Sequence, residues 1–163
     1  MIFLEFIVGI IFFAFFTSCL LGVPFMPTHK AQTETMMDLA EIRTGKVVVD
    51  LGSGAGRLLF AAAKRGATAI GYELNPFLFI WTKLQIWRLG LGGSVQVFWK
   101  SLYQADLSKA DVVVTFLFPQ FMVRLDQKIF SEMKSGAKVI SYVFPFKNRK
   151  EIIKKEALFL YEI

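Results

Sequence analysis

The chain is poor in the residues that build disulfides and metal centres. Among its 163 residues there is one cysteine, Cys19, and one histidine, His29. A single cysteine forms no internal disulfide, and such usage fits a reducing compartment. One Cys and one His supply no ligand cluster, so no metal is expected. His29 lies in a polar stretch, reads as solvated and is assigned no chemistry. No Lys or Arg precedes Lys30, so the basic start of a secretory signal peptide is missing. Acids are outnumbered 13 to 19, for a net charge of +6. That balance points to anionic lipid headgroups or to nucleic acid, and no nucleic-acid motif accompanies it, so no nucleic-acid partner is expected. A length of 163 residues leaves room for one domain and little more.

Apolar residues are in excess, at 55% of the chain, and part of the excess is concentrated at the start. Residues 6–21, FIVGIIFFAFFTSCLL, carry no charge. Extended to residue 25 as a helix, the run would cross roughly 30 Å, one hydrocarbon core. Residues 1–22 therefore read as a single N-terminal transmembrane anchor, with a domain over residues 23–163. Because the basic residues all follow the run, the domain is expected on the cytoplasmic side of the membrane. A core or interfacial helix and a cleaved leader are the competing readings.

The most informative stretch is residues 47–57, VVVDLGSGAGR. Three consecutive valines suit a strand buried on both faces. Gly52, Gly54 and Gly56 remove side chains where the chain must turn and a ligand must approach the backbone. A helix opening there aims free N–H groups at that ligand. A second apolar strand, residues 67–72, ends in Glu73, where an acid can accept the hydroxyls of a ribose. The dinucleotide fingerprint would need glycine at position 57, which is Arg57. The spelling is instead D-x-G-x-G-x-G. Asp50, two residues before the first glycine, suits a ligand with a cationic end, such as S-adenosylmethionine (SAM), and would repel a pyrophosphate.

Residues 23–28 hold two prolines and read as an extended linker, with Thr28 as N-cap of a helix over residues 30–42 that buries Met36, Met37 and Ala40. Asn75-Pro76 opens a helix reaching residue 89. Phe77, Ile80, Trp81, Leu84 and Trp87 form the stripe expected to face the sheet. Leu78, Phe79 and Ile86 lie off it, either packed under a loop or turned to a membrane or membrane-embedded partner. Strands are expected over residues 94–99, 111–116 and 137–143, a helix over 120–134, and a closing hairpin from 151–155 and 157–163. This is an α/β chain with a central, mostly parallel sheet and helices on both faces. Phe116, Phe118, Tyr142, Phe144 and Phe146 fall at or just beyond strand ends, where open α/β sheets bind ligands. They are either a channel or core. No His or carboxylate is placed as a general base, so the catalytic residues are left unassigned.

The segments VPFMPT, VVVDLGSGAGR, GYELNP, DVVVTFLFP and VISYVFPF occur in an order that resembles one branch of the class I SAM-dependent methyltransferases. That branch holds the archaeal broad-specificity protein-lysine methyltransferases and the mitochondrial enzymes that methylate a lysine of an ATP synthase membrane subunit. The resemblance implies a Rossmann-like fold and a SAM site at Asp50, Gly52, Ser53, Gly54, Gly56, Glu73, Asn75 and Ser101. It also implies that Pro27 and Thr28 fold over the cofactor, with the threonine near its methionine end. Two departures stand out: Ala55 where the family has Asp, and Lys100-Ser101 where it has an acid after the third strand. The expectation is a membrane-anchored methyltransferase acting on lysine of a protein, with a membrane protein as one such partner. Phe116, Phe118, Tyr142 and Phe144 would form a dry channel for the lysine. A lipid or quinone acceptor and a non-catalytic SAM-binding module are the alternatives.

Overall fold

The computed structural model describes residues 28–163, together with Glu5 and Gly9. The anchor expected over residues 1–22, apart from those two positions, and Pro27 lie outside the described residues. Among the described residues no helix is long and apolar enough to cross a membrane.

Seven strands form one sheet in the order β3-β2-β1-β4-β5-β7-β6. The first five are β1 (Val47–Leu51), β2 (Thr68–Glu73), β3 (Val95–Trp99), β4 (Val112–Thr115) and β5 (Lys138–Tyr142), all paired in parallel. β7 (Leu158–Glu162) runs antiparallel to both β5 and β6 (Ile153–Lys155), so the tail hairpin forms as expected. The chain steps from β1 outward to β3, then returns to lay β4 on the other side of β1. That reversal opens a crevice at the carboxyl ends of β1 and β4, where ligands bind in such sheets.

Among the described residues the sheet is covered by α1 (Lys30–Leu39), α2 (Arg57–Lys64), α3 (Pro76–Arg88) and α4 (Pro119–Glu132). Successive β1 side chains point to opposite faces. Val48 joins Met36, Leu59, Ala62 and Ile86 in the core under α1, α2 and α3. Val49 joins Leu125, Ile129 and Val139 in the core under α4. Burial on both sides explains the unbroken valine run. Met36, Met37 and Ala40 are buried as their spacing predicts, although α1 stops at Leu39. His29, not Thr28, is its N-cap, without a side-chain hydrogen bond.

Helix α3 corrects a second expectation. Its phase is opposite to the predicted one. Phe77, Ile80, Trp81, Leu84 and Trp87 are exposed, while Thr82 and Ile86 are buried and Phe79 packs on the core. The reason is a polar contact. The Thr82 hydroxyl donates to the Gly54 carbonyl at 3.1 Å, deep under the glycine turn. Thr82 is fully buried, and once it points inward the helix can bury only the residues near it on the wheel. Counting apolar residues could not reveal this, because both faces are apolar.

Candidate cofactor site

The turn after β1 is held from three sides. Gly52 N–H and Ser53 N–H both donate to the Tyr72 carbonyl at 3.0 Å. Gly54 N–H donates to Glu73 Oε2 at 2.7 Å, and Thr82 holds the Gly54 carbonyl. Gly52 and Gly56 adopt φ of +92° and +80°, a region that strains L side chains. A Cβ on Gly56 would also come within 2.8 Å of Thr82 Cγ2. Gly56 is the N-cap of α2, so the helix opens directly out of the turn.

Two acids face the crevice. Asp50 lies at the carboxyl end of β1 and is buried. Burial first, and the nearby Glu73 charge second, push its carboxyl up to about 7. Glu73 is also pushed up by burial, against the opposing pull of backbone N–H groups of Asn75, Gly54 and Leu74. Among the described residues no Lys or Arg pairs with either acid. A buried carboxyl of this kind stays ionised at neutral pH only with a cation beside it. Close by in the same turn Ser53 Oγ is buried without a hydrogen-bond partner among the described residues, and so is Thr115 Oγ1 at the end of β4. Unsatisfied polar atoms around an unneutralised acid fit a polar, cationic ligand, and SAM has both properties.

Several predicted site residues carry structural duties as well. Glu73 clamps the turn with both oxygens, accepting from Gly54 and, at 2.7 Å, from Asn75 N–H. Each carboxylate oxygen can accept a second hydrogen bond, so ribose hydroxyls remain within its capacity. The Asn75 side chain caps α3, accepting from Phe77 and Leu78 N–H at 2.9 and 3.2 Å. Ser101 caps the 3₁₀ turn Leu102–Gln104 in a reciprocal capping box, which leaves its hydroxyl proton to donate. Thr28 is buried, and its carbonyl accepts from Arg57 Nη1 at 2.7 Å. Arg57 thus ties the segment before α1 to the glycine turn, a role that sequence reading did not assign to it.

Four aromatic residues stand at the carboxyl ends of β4 and β5 in two pairs. Phe116 and Tyr142 rings lie 4.8 Å apart, and Phe118 and Phe144 rings 5.6 Å apart. All four are half-buried. Phe146 does not join them: it is buried in the core against Phe130 and Tyr161. Between the pairs the chain makes a three-residue turn, with Phe144 N–H donating to the Tyr142 carbonyl at 2.9 Å. Val143 at its centre has φ of +70°, unfavourable for a β-branched residue. Val143→Gly should therefore stabilise the fold by about 1 kcal/mol, strain relief minus the added chain entropy. A thermal melt that falls instead of rising would contradict this account of the turn.

Strand order, glycine turn and the acid at the tip of β2 together define the class I SAM-dependent methyltransferases. Within that class, the chain belongs to the family described as the ANTKMT methyltransferase domain, which matches residues 50–152. It is 40% identical over 124 residues to the ATP synthase c-subunit lysine N-methyltransferase of Homo sapiens, covering 76% of this chain and 53% of that one. It is 32% identical over 138 residues to a protein-lysine N-methyltransferase of Saccharolobus islandicus, covering 82% and 86%. Among solved structures, an RNA methyltransferase from Salinibacter ruber in complex with S-adenosyl-L-homocysteine superposes with a TM-score of 0.78. That pair shares 29% identity over 83% of this chain and 91% of the other. The chain spans about half the length of the human enzyme and of its rat, frog and mouse counterparts.

Proposed function

We propose that the chain transfers a methyl group from SAM to the side-chain amine of a lysine in a protein. The observation that carries this is the uncharged aromatic quartet Phe116, Phe118, Tyr142 and Phe144 at the same sheet edge as Asp50. SAM supplies a methyl group already activated on a sulfonium. Asp50 holds the cationic end of the cofactor, and Glu73 its ribose. Ser101 is the polar group nearest in sequence to the adenine side, and Thr28, with Pro27 before it, covers the methionine end. A lysine acceptor must arrive neutral, although its ordinary pKa is about 10.4. Half-buried aromatic walls disfavour the ammonium and so lower that value. Positioning then supplies most of the acceleration; the amine lone pair takes the methyl group, S-adenosylhomocysteine leaves uncharged at sulfur, and the general base is left unassigned. The lysine-modifying names of the human and archaeal relatives support the same acceptor.

Residues 1–22 anchor the enzyme in a membrane in this proposal, with the domain on the cytoplasmic side. Their uncharged run and the basic residues that begin at Lys30 support it. The test uses methyl-labelled SAM, the full chain in its own cell membranes and an Asp50→Ala control. Label recovered as methyl-lysine in a protein band, and absent from the control, is the expected result. Label in the lipid extract would replace lysine by a small membrane molecule as acceptor, and absence of label with SAM still bound would refute transfer to any acceptor in that membrane.

A further inference from the structure

The outward face of α3 has no core to pack on, and it is strongly apolar. Ile80 is 62% exposed, Trp81 51%, Leu84 44% and Trp87 78%. Trp99, at the end of the edge strand β3, extends the same surface. It is 61% exposed, stacks on Phe79 at 6.4 Å and donates its indole N–H to the Leu74 carbonyl at 2.9 Å. Helix and strand edge are thereby fastened into one rigid surface. Isolated exposed apolar residues need no explanation, but a contiguous aromatic face does.

Its charges are one-sided. Between Leu74 and Ser101 the sequence contains Lys83, Arg88 and Lys100 and no acid. All three cations are exposed, and none pairs with an acid among the described residues. Lys83 Nζ lies 5.9 Å from the Phe79 ring centre and rims this face, whereas Lys100 Nζ lies 5.7 Å from the centre of Phe98, whose ring packs on Tyr72 across the sheet. Apolar indole bodies bordered by Lys83 and Arg88, in a stretch of sequence without acids, match the boundary between acyl chains and anionic headgroups. Protein–protein interfaces are instead depleted in lysine, the residue at the rim position 83.

We propose that the outward face of α3 and the Trp99 edge of β3 dock on the surface of an anionic lipid bilayer. The domain then lies against the membrane on its ribose side, because α3 begins directly after Glu73 and Asn75. The sheet edge at Phe116 and Phe144 stays off the lipid. This surface is independent of which acceptor is methylated.

All three tryptophans of the chain, Trp81, Trp87 and Trp99, belong to this face, so intrinsic fluorescence reports on it alone. The full chain is reconstituted into vesicles of phosphatidylcholine with phosphatidylglycerol, with and without bromine-labelled acyl chains. Contact should shift emission to the blue and let the brominated lipid remove roughly half of it, as for rings seated 5–10 Å into the interface. Ile80→Ser with Leu84→Ser, both at exposed positions, should restore the emission without changing the circular dichroism. Reversing Lys83 and Arg88 to Glu should restore it in anionic vesicles, each lost cation weakening surface attraction about fivefold. Vesicle-bound protein with red-shifted, unquenched tryptophans would overturn the proposal. So would a blue shift already complete without lipid and dependent on protein concentration, which would assign the face to a second copy.

Discussion

Replacing Asp50 by Asn should have two effects of opposite sign: loss of SAM binding and a more stable apo-protein. Both follow from one buried carboxyl. Its ordinary value of 3.8 is raised to about 7 by burial and by Glu73. The folded chain therefore holds a proton that the unfolded chain has lost between those two values. The stabilisation is complete below about pH 4 and disappears as pH rises through about 7. At pH 8 the ionised carboxylate destabilises the apo fold by about 4 kcal/mol. Asn is close in shape and cannot ionise. Asp50→Asn should then melt roughly 8–15 °C above wild type at pH 8, and near it at pH 4. Added SAM narrows the gap to about 1 kcal/mol. Ligand at a hundredfold its Kd stabilises wild type by about 2.7 kcal/mol, and the variant gains little. Affinity should fall at least about 100-fold, because the cation loses its buried partner. In wild type, binding requires the ionised carboxylate, so Kd should rise about tenfold per pH unit below 7, and the variant should be flat. Calorimetry across pH decides it. A variant less stable than wild type at pH 8, or one that still binds with the same pH slope, would contradict the assignment of Asp50.

What could be read from the sequence was what depends on short spacing. Valines, glycines, Asp50 and Glu73 lie within one strand–turn–helix–strand unit, and local chemistry constrains each of them. The start of α3 was legible for the same reason, from Asn75-Pro76. The phase of α3 was not, since a helix apolar on two faces offers no moment to follow. Thr82 decides the phase through a contact with Gly54, 28 positions away. Arg57 was similarly opaque: its partner is a backbone carbonyl, which has no letter in the sequence. Phe146 and Phe144 differ by two positions and share a spelling. One is core and the other lines the edge because their partners are remote in sequence: Phe144 meets Phe118, whereas Phe146 packs on Phe130 and Tyr161 and donates its N–H to the Tyr161 hydroxyl.

Gly71 is the residue whose importance was least visible, and its substitution should be the most damaging single methyl addition in the site. It sits mid-strand in β2, opposite Asp50 in the parallel register. Nothing about its backbone demands glycine, since its φ is not positive. The demand comes from across the turn. A Cβ at position 71 would meet Ser53 Oγ at 2.6 Å, Leu59 Cδ1 at 2.7 Å and Ser53 Cβ at 2.8 Å. Ser53 cannot swing away without moving the backbone that donates from Gly52 and Ser53 to Tyr72. Leu59 is fully buried and has no space to retreat into. Gly71→Ala should therefore destabilise the fold by about 1–3 kcal/mol through overpacking. It should also displace Gly54 from Glu73, weakening SAM at least about tenfold, the equivalent of one lost net hydrogen bond. Gly92→Ala, with open space around its Cβ site, is the control and should change neither. Ser53→Gly removes two of the three clashing atoms, so adding it to Gly71→Ala should recover part of the lost stability. A double-mutant cycle reads that coupling directly, at about 0.5–3 kcal/mol for touching residues. Strict additivity would mean that Gly71 is present for some reason other than seating Ser53 under the cofactor turn.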